Sequence, residues 1–518
     1  MTVIECFLKQ SDAYPEKTAV IFENKYISYR ELKESVCKTA GFLRDNGVEK
    51  GAKIILSLSN SPEFLYFMLA AADIGAVIVP LSITLSEKAL AAAIKSSDAS
   101  FAVVERGNAS KVFNLLDNKS IFIVSDKLPA DNSELLFNLP DIDTHYALGK
   151  NEIEPDIDYI LTMTSGSTGN PKPIIFSQKN KVLRGIDACA ELYGVTEEDV
   201  IITASPMYHS LGQRLALFPL MIGASTVILK KFMPELWLEA VEKYKISFTI
   251  AVSSHLESIL RKLKQGNYNI SSLKTIVSSS SLLKNDAKLE CLKYFNCDFH
   301  ECYGTSEVGI VTNLYPKDAN IKLKSVGVPL PFVDMKIVDD NANQVSVGEV
   351  GEIICSTPTL FSGYYKLPEK TLESVVDGYF FTGDLGKVDK DGYLYFCGRK
   401  KELIIVGGTN VYPGDIEEII NACSEVSECA VIGVDDSYFG EAVLAIIVPV
   451  KGIEPKKALR SARKACAGAL ADYQQPMAYE TLESLPKNAL GKLMKHKLCE
   501  QFIGYDATAK FRALRGIK

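Results

Sequence analysis

Residues 159–174 read YILTMTSGSTGNPKPI, and their types and order suit the binding of phosphate. A strand-like run ends at Thr164 and is followed by Ser165, Gly166, Ser167, Thr168, Gly169, Asn170, Pro171 and Lys172. Glycines let successive backbone N–H groups turn into one concavity, which makes an anion nest. Hydroxyls add donors to phosphate oxygens, and a lysine supplies positive charge. A flexible loop of the same composition is the alternative reading. The position after a strand, with Lys172 at the end, favours the phosphate loop.

Other phosphate and hydrolytic chemistries are excluded by spacing. No two glycines stand two apart, so neither the dinucleotide fingerprint nor the kinase glycine loop is present. GxSxG and HExxH are also missing, and Gly491-Lys492 has Pro486 where a Walker loop needs glycine. A kinase or P-loop ATPase is therefore disfavoured. The twelve cysteines are scattered without a CxxC pair, which suits reduced thiols in a cytoplasmic protein better than a disulfide framework or zinc site.

The elements that must position such a loop are legible in the periodicity. Helical spacing over residues 31–46 is followed by an apolar strand at 53–58, a second helix at 62–72 and a buried strand at 75–81. This alternation returns between 200 and 275 and implies layered α/β architecture with largely parallel sheet. Between 336 and 396 short strands and DG turns suggest a compact antiparallel unit. After 402 the pattern becomes mixed, ending in a lysine-rich stretch. At 518 residues at least two domains are expected. We place an N-terminal domain of layered α/β subdomains plus the antiparallel unit at 1–398, a hinge at 399–402 and a small mobile α+β domain at 403–518. The net charge of -7 gives no reason to expect nucleic acid or an anionic membrane as partner. No uncharged stretch approaches the ~20 residues that span a bilayer, and the N-terminus shows no secretory signal.

Further signatures follow the loop in order: CYGTSE at 302–307, YFFTGD at 379–384, GRKKE at 398–402 and LPKNALGKLMK at 485–495. Each is weak or moderate alone, but together they resemble the adenylate-forming (ANL) superfamily, which includes acyl- and aryl-CoA synthetases, nonribosomal adenylation domains and firefly luciferase. ISYREL at 27–32 and ADIGAVIVP at 72–80 extend the likeness. One departure is Pro173 after Lys172, where the family loop usually has glycine.

The resemblance implies roles. Tyr303 stacks on adenine beside Gly304, Thr305 or Ser306 contacts the α-phosphate region, and Glu307 helps hold Mg²⁺. Asp384 grips the ribose hydroxyls, a sound match for a carboxylate and a cis-diol. Arg399 contacts the nucleotide, Lys401 is the hinge pivot and Lys492 is the catalytic lysine. It further implies ATP-dependent conversion of a carboxylic acid to acyl-AMP with release of pyrophosphate. After rotation of the small domain, the acyl group passes to the thiol of coenzyme A or of an acyl carrier protein's phosphopantetheine. Gly407-Gly408 would leave room for the pantetheine arm. A luciferase-like oxygenase shares these motifs and remains the rival from another class.

The segment SPMYHSLGQRL at 205–215 resembles the family's acid pocket, with His209 as gate, Tyr208 beside it, and Leu211 and Leu215 along the wall. No aspartate lies between 206 and 218 to pair an α-amine, so an amino acid substrate is disfavoured. Arg214 reads either as a second-carboxylate contact or as a partly exposed helix arginine, and the latter is favoured. A serine run at 278–281 replaces the glycine-rich strand end, with Ser279 placed among nucleotide contacts and Ser280 among pocket residues. Its hydroxymethyl groups should shorten and polarise the floor, favouring an aryl or short-to-medium acid.

Overall fold

Local signals start the helices. Ser28 accepts the backbone N–H of Glu31 while the Glu31 carboxylate accepts that of Ser28, a reciprocal cap that starts the helix Tyr29–Asp45. Its buried face comprises Tyr29, Leu32, Val36, Ala40 and Leu43, which keep helical spacing. The computed structural model describes residues 1–116, 120–124, 135–164, 172–436, 438–487 and 491–508. Contacts divide the chain into two units, Met1–Asp334 with Cys355–Phe380, and Met335–Ile354 with Phe381–Lys518.

The first unit is built on two large sheets. One runs Val328–Pro329, Gly309–Leu314, Asp298–Thr305, Thr275–Ser279, Phe248–Val252, Val200–Thr203, Ser225–Ile228, Thr18–Phe22, Lys25–Ser28. Its central pairs are parallel and antiparallel neighbours close both edges. Central strands are apolar on both faces, as a sheet covered by helices requires; Phe248–Val252 is buried throughout. Trp237, Leu238, Leu256 and Ile259 from adjacent helices pack onto Ile202, Val227 and Ile276. The other sheet runs Gly363–Tyr364, Lys172–Ser177, Asp158–Thr164, Val77–Pro80, Lys53–Ser57, Phe101–Glu105, Ile121–Val124, Leu135–Phe137. Parallel pairing holds from Asp158–Thr164 to Leu135–Phe137, while Lys172–Ser177 and Gly363–Tyr364 are added antiparallel.

In the second unit, antiparallel pairing sets Asp384 opposite Arg399. A further sheet runs Thr409–Val411, Ile404–Val406, Gly440–Pro449, Val426–Asp436, and Ala478–Thr481 joins Gly440–Pro449 in parallel. Alternate residues of its long hairpin enter different cores. Val431, Val443, Ala445 and Ile447 pack with Ile416, Ala458 and Cys466, whereas Ile432, Leu444 and Ile446 pack with Leu485 and Leu498. The architecture is therefore the expected α/β type, with a smaller C-terminal part rich in antiparallel strands. Among the described residues no helix is long and apolar enough to cross a membrane.

Candidate active site

In the first unit, the strands flanking the phosphate loop are paired so that Thr164 faces Lys172. Ser165, Gly166, Ser167, Thr168 and Gly169 lie outside the described residues. The Lys172 ammonium lies 5.6 Å from the ring centroid of Tyr364. Tyr364 in turn donates its hydroxyl to the Glu307 carboxylate at 3.1 Å. Burial, and then the Glu307 charge, push the Tyr364 hydroxyl above its ordinary pKa, so it stays a donor. Tyr364 thus links two signatures that are far apart in the chain.

The segment 303–307 is held by shape and by Arg184. A register shift between Tyr303 and Gly304 bends the strand, and a Cβ added at Gly304 would lie 1.8 Å from the Gly309 carbonyl oxygen. Only glycine fits there. Arg184 donates to the backbone carbonyls of Ser306 at 2.8 Å, of Glu307, and of Thr359 at 2.7 and 2.9 Å. Tyr303 is buried, whereas the partly buried Thr305 has a hydroxyl with no hydrogen-bond partner among the described residues. Such an orphaned donor suits a phosphate oxygen. Beneath the motif, Lys288 and Glu301 form a fully buried ion pair. The four-serine stretch ends in a strained turn, because Ser280 takes φ 72°, a left-handed conformation that costs a side chain about 1–2 kcal/mol. Ser279 closes the strand Thr275–Ser279, and Ser280 is exposed.

His209 stands at the N-terminus of the helix Ser210–Ile222 without a side-chain capping bond, and its ring packs against Tyr208 at 4.4 Å. Burial pushes the His209 imidazole down to about 4, so it is uncharged at neutral pH. Asn60 holds the approach to it, accepting from the Met207 N–H at 2.7 Å and donating to the Ser205 and Leu229 carbonyls at 3.0 Å each. A cleft of roughly 270 Å³ of non-atom space, open to solvent, is lined on this helix by Ser210, Arg214, Leu217, Phe218 and Met221. The expected wall residues Leu211 and Leu215 are not among its lining. Leu215 is instead in the core.

In the second unit, Asp384 is nearly buried, with Arg399 Nε at 3.6 Å from its carboxylate. Lys492 joins this pair, close enough that Asp384, Arg399 and Glu402 all act on its charge. Desolvation, and then Arg399, lower the Lys492 ammonium pKa, while Asp384 and Glu402 oppose them. Its side chain keeps solvent contact, which limits that shift. The segment carrying it is fastened on both sides. Lys487 bridges to Leu493, the Met494 N–H donates to the Pro486 carbonyl at 2.9 Å, and Lys495 pairs with Glu417 at 2.7 Å. Residues 488–490 of this motif lie outside the described residues. Lys401 is exposed in the short turn Lys400–Glu402, beside Lys400, which pairs with Glu352 and Asp340 at 2.9 Å each. Gly407 and Gly408, at φ 56° and 84°, form the two-residue turn between Ile404–Val406 and Thr409–Val411. A tight hairpin needs positive φ at both positions, which accounts for the pair on structural grounds.

Arg184, Asn60, Tyr364, Lys181 and the Lys288–Glu301 pair were not singled out from the sequence. Each acts through partners distant in the chain, and no local pattern marks them.

Residues 7–365 match the AMP-binding enzyme family and residues 415–492 match the AMP-binding enzyme C-terminal domain. The chain belongs to the AMP-binding enzyme family. It is similar to a long-chain-fatty-acid–CoA ligase of Bacillus subtilis, 29% identical over 94% of this chain and 92% of that protein. A feruloyl-CoA synthase of an Amycolatopsis species is 30% identical over 94% and 96%. Among solved structures, the o-succinylbenzoate CoA synthetase of Bacillus subtilis in complex with its acyl-adenylate intermediate matches with a TM-score of 0.83 and 25% identity, over 95% of this chain and 97% of that one.

Proposed function

We propose that this enzyme activates a carboxylic acid with ATP and transfers the acyl group to coenzyme A. The observation that carries the reading is the grouping of Asp384, Arg399 and Lys492, drawn from three signatures, in one unit. The CoA-ligase names of its relatives support the same reading.

In the first half-reaction a carboxylate oxygen attacks the α-phosphorus of ATP; a new P–O bond forms and pyrophosphate leaves with the electron pair. Positioning and charge stabilisation supply most of such catalysis. Lys492 would meet the developing charge on the α-phosphate and the carboxylate. Asp384 would accept the ribose hydroxyls, and Arg399 beside it would contact the nucleotide. The Thr164–Lys172 loop would hold the outer phosphates. Thr305 and Ser306 would donate to the α-phosphate, and Tyr303 would stack on the base.

Glu307 fits a divalent cation, since its carboxylate is held by Tyr364 and is part-exposed. Among the described residues no group of three or more His, Cys, Asp or Glu could hold a metal, so Mg²⁺ would rely on Glu307, nucleotide oxygens and water. That ion would offset negative charge on the triphosphate.

In the second half-reaction the thiolate sulfur attacks the acyl carbon, the thioester C–S bond forms and AMP leaves. Lys401 would serve as the hinge, and Gly407-Gly408 would lie along the pantetheine arm. Uncharged His209 with Tyr208 would gate the acid pocket.

The test is acid-dependent ATP–pyrophosphate exchange over aryl, short, medium and long acids, followed by thioester assay with coenzyme A and with a phosphopantetheinylated carrier protein. Exchange with at least one acid and an acyl-CoA product are expected. Exchange with no acid, or light or oxidised product formed only with oxygen, would overturn the reading.

A further inference from the structure

Three cationic side chains line the cleft beside the helix Ser210–Ile222, namely Lys181, Arg184 and Arg214, and no carboxylate lines it with them. Two have their hydrogen-bonding capacity engaged inside the protein. Lys181 is buried, donates to the Gln213 side-chain oxygen at 2.8 Å and lies 4.5 Å from the Phe176 ring centroid. Arg184 is buried and committed to three backbone carbonyls. Arg214 differs. It is half-buried and makes no hydrogen bond or ion pair among the described residues.

The cluster is self-repelling. Burial first, and then the Arg214 charge, bring Arg184 down to about 9; burial, then Arg184 and Arg214, lower Lys181. Arg214 also acts on Cys302, which precedes Tyr303 and hydrogen-bonds with Ser279, so its charge reaches the strand ends of the candidate site. A cationic cluster facing an open cleft, with its most accessible guanidinium uncommitted, is complementary to an anion. The planar fork of arginine suits a carboxylate bidentately.

We infer that the acid activated here is a dicarboxylic acid, whose second carboxylate is bound by Arg214 in this cleft. The inference rests on the proposed acid-activating function and names its substrate class. It also reverses the balance drawn from sequence, which favoured a plain helix arginine.

The experiment is ATP–pyrophosphate exchange with short aliphatic and aryl dicarboxylic acids, each paired with its monomethyl ester, on the full chain and on Arg214→Gln and Arg214→Lys. For the unaltered enzyme we expect kcat/KM for the best diacid to exceed that of its ester by roughly a hundredfold, the scale of a lost charged contact. Arg214→Gln should collapse that ratio towards one, mainly through the KM of the diacid, with the KM of ATP as control for folding. Arg214→Lys should keep part of the ratio. Equal activity on diacid and ester, or an equal loss on both in Arg214→Gln, would overturn the inference. Exchange with monocarboxylic acids and none with diacids would overturn it while leaving adenylation standing. Exchange with no acid at all would overturn both.

Discussion

Replacing Lys288 by methionine should destabilise the first unit while keeping volume and chain length. Lys288 and Glu301 are 1% and 2% exposed in their side chains, and Lys288 also donates to the Ser325 carbonyl at 3.3 Å. Burial raises the Glu301 carboxyl pKa, and the Lys288 ammonium is the leading influence against that rise. Without it a carboxylate is left buried and unpaired, a change that costs about 3–5 kcal/mol. The single tryptophan, Trp237, is 1% exposed in the core of the same sheet, so its fluorescence reports unfolding of this unit. With a urea slope of about 3 kcal/mol/M, the midpoint should fall by about 1 M or more. The sign with pH follows from the carboxyl. In the variant, the folded Glu301 pKa stands above the unfolded value near 4.3, so the defect is small near pH 4 and grows as pH rises towards 7. Lys288→Met with Glu301→Gln should recover most of the loss, because a neutral pair carries no ionic desolvation penalty. A single variant costing under about 1 kcal/mol, or a double variant equal to the sum of the singles, would refute the reasoning.

Lys492→Ala should lower acid-dependent ATP–pyrophosphate exchange by about 10²–10³, as expected for one preorganised donor to transition-state charge. Thioester formation from supplied acyl-adenylate should persist, and full-rate exchange in this variant would remove Lys492 from the chemistry. Burial holds His209, His255 and His300 neutral, each down to about 4. The unfolded chain, with histidines near 6.5, takes up protons between pH 6.5 and 4 that the fold refuses. Stability is therefore present above 6.5 and is lost as pH falls, by at most about 3 kcal/mol per ring. His255, stacked on Phe232 at 3.6 Å, is the cleanest to remove. Trp237-monitored unfolding of His255→Phe should show a shallower fall from pH 6.5 to 4.5, and an unchanged slope would count against the assignment.

Much of the architecture was legible because it rests on local pattern. Helical spacing at 31–46 and the Ser28–Glu31 cap give the helix Tyr29–Asp45, and the apolar runs at 53–58 and 75–81 contain Lys53–Ser57 and Val77–Pro80. Of the candidate site, Asp384, Arg399 and Lys492, expected from the resemblance, lie together in the second unit. What escaped were residues defined by distant partners. Arg184 is an ordinary helix arginine until Ser306, Glu307 and Thr359 present their carbonyls. Tyr364 gains its role only through Glu307 and Lys172. On the helix Ser210–Ile222 the resemblance pointed to Leu211 and Leu215, whereas the cleft there is lined by Ser210, Arg214, Leu217, Phe218 and Met221.

The most direct test of the central claim is isotope transfer. With the best acid of the exchange panel labelled in both carboxylate oxygens with ¹⁸O, plus ATP and coenzyme A, the AMP formed should carry one ¹⁸O on phosphorus and the pyrophosphate none. Label in inorganic phosphate with ADP as product, or unlabelled AMP, would contradict attack of the carboxylate on the α-phosphorus.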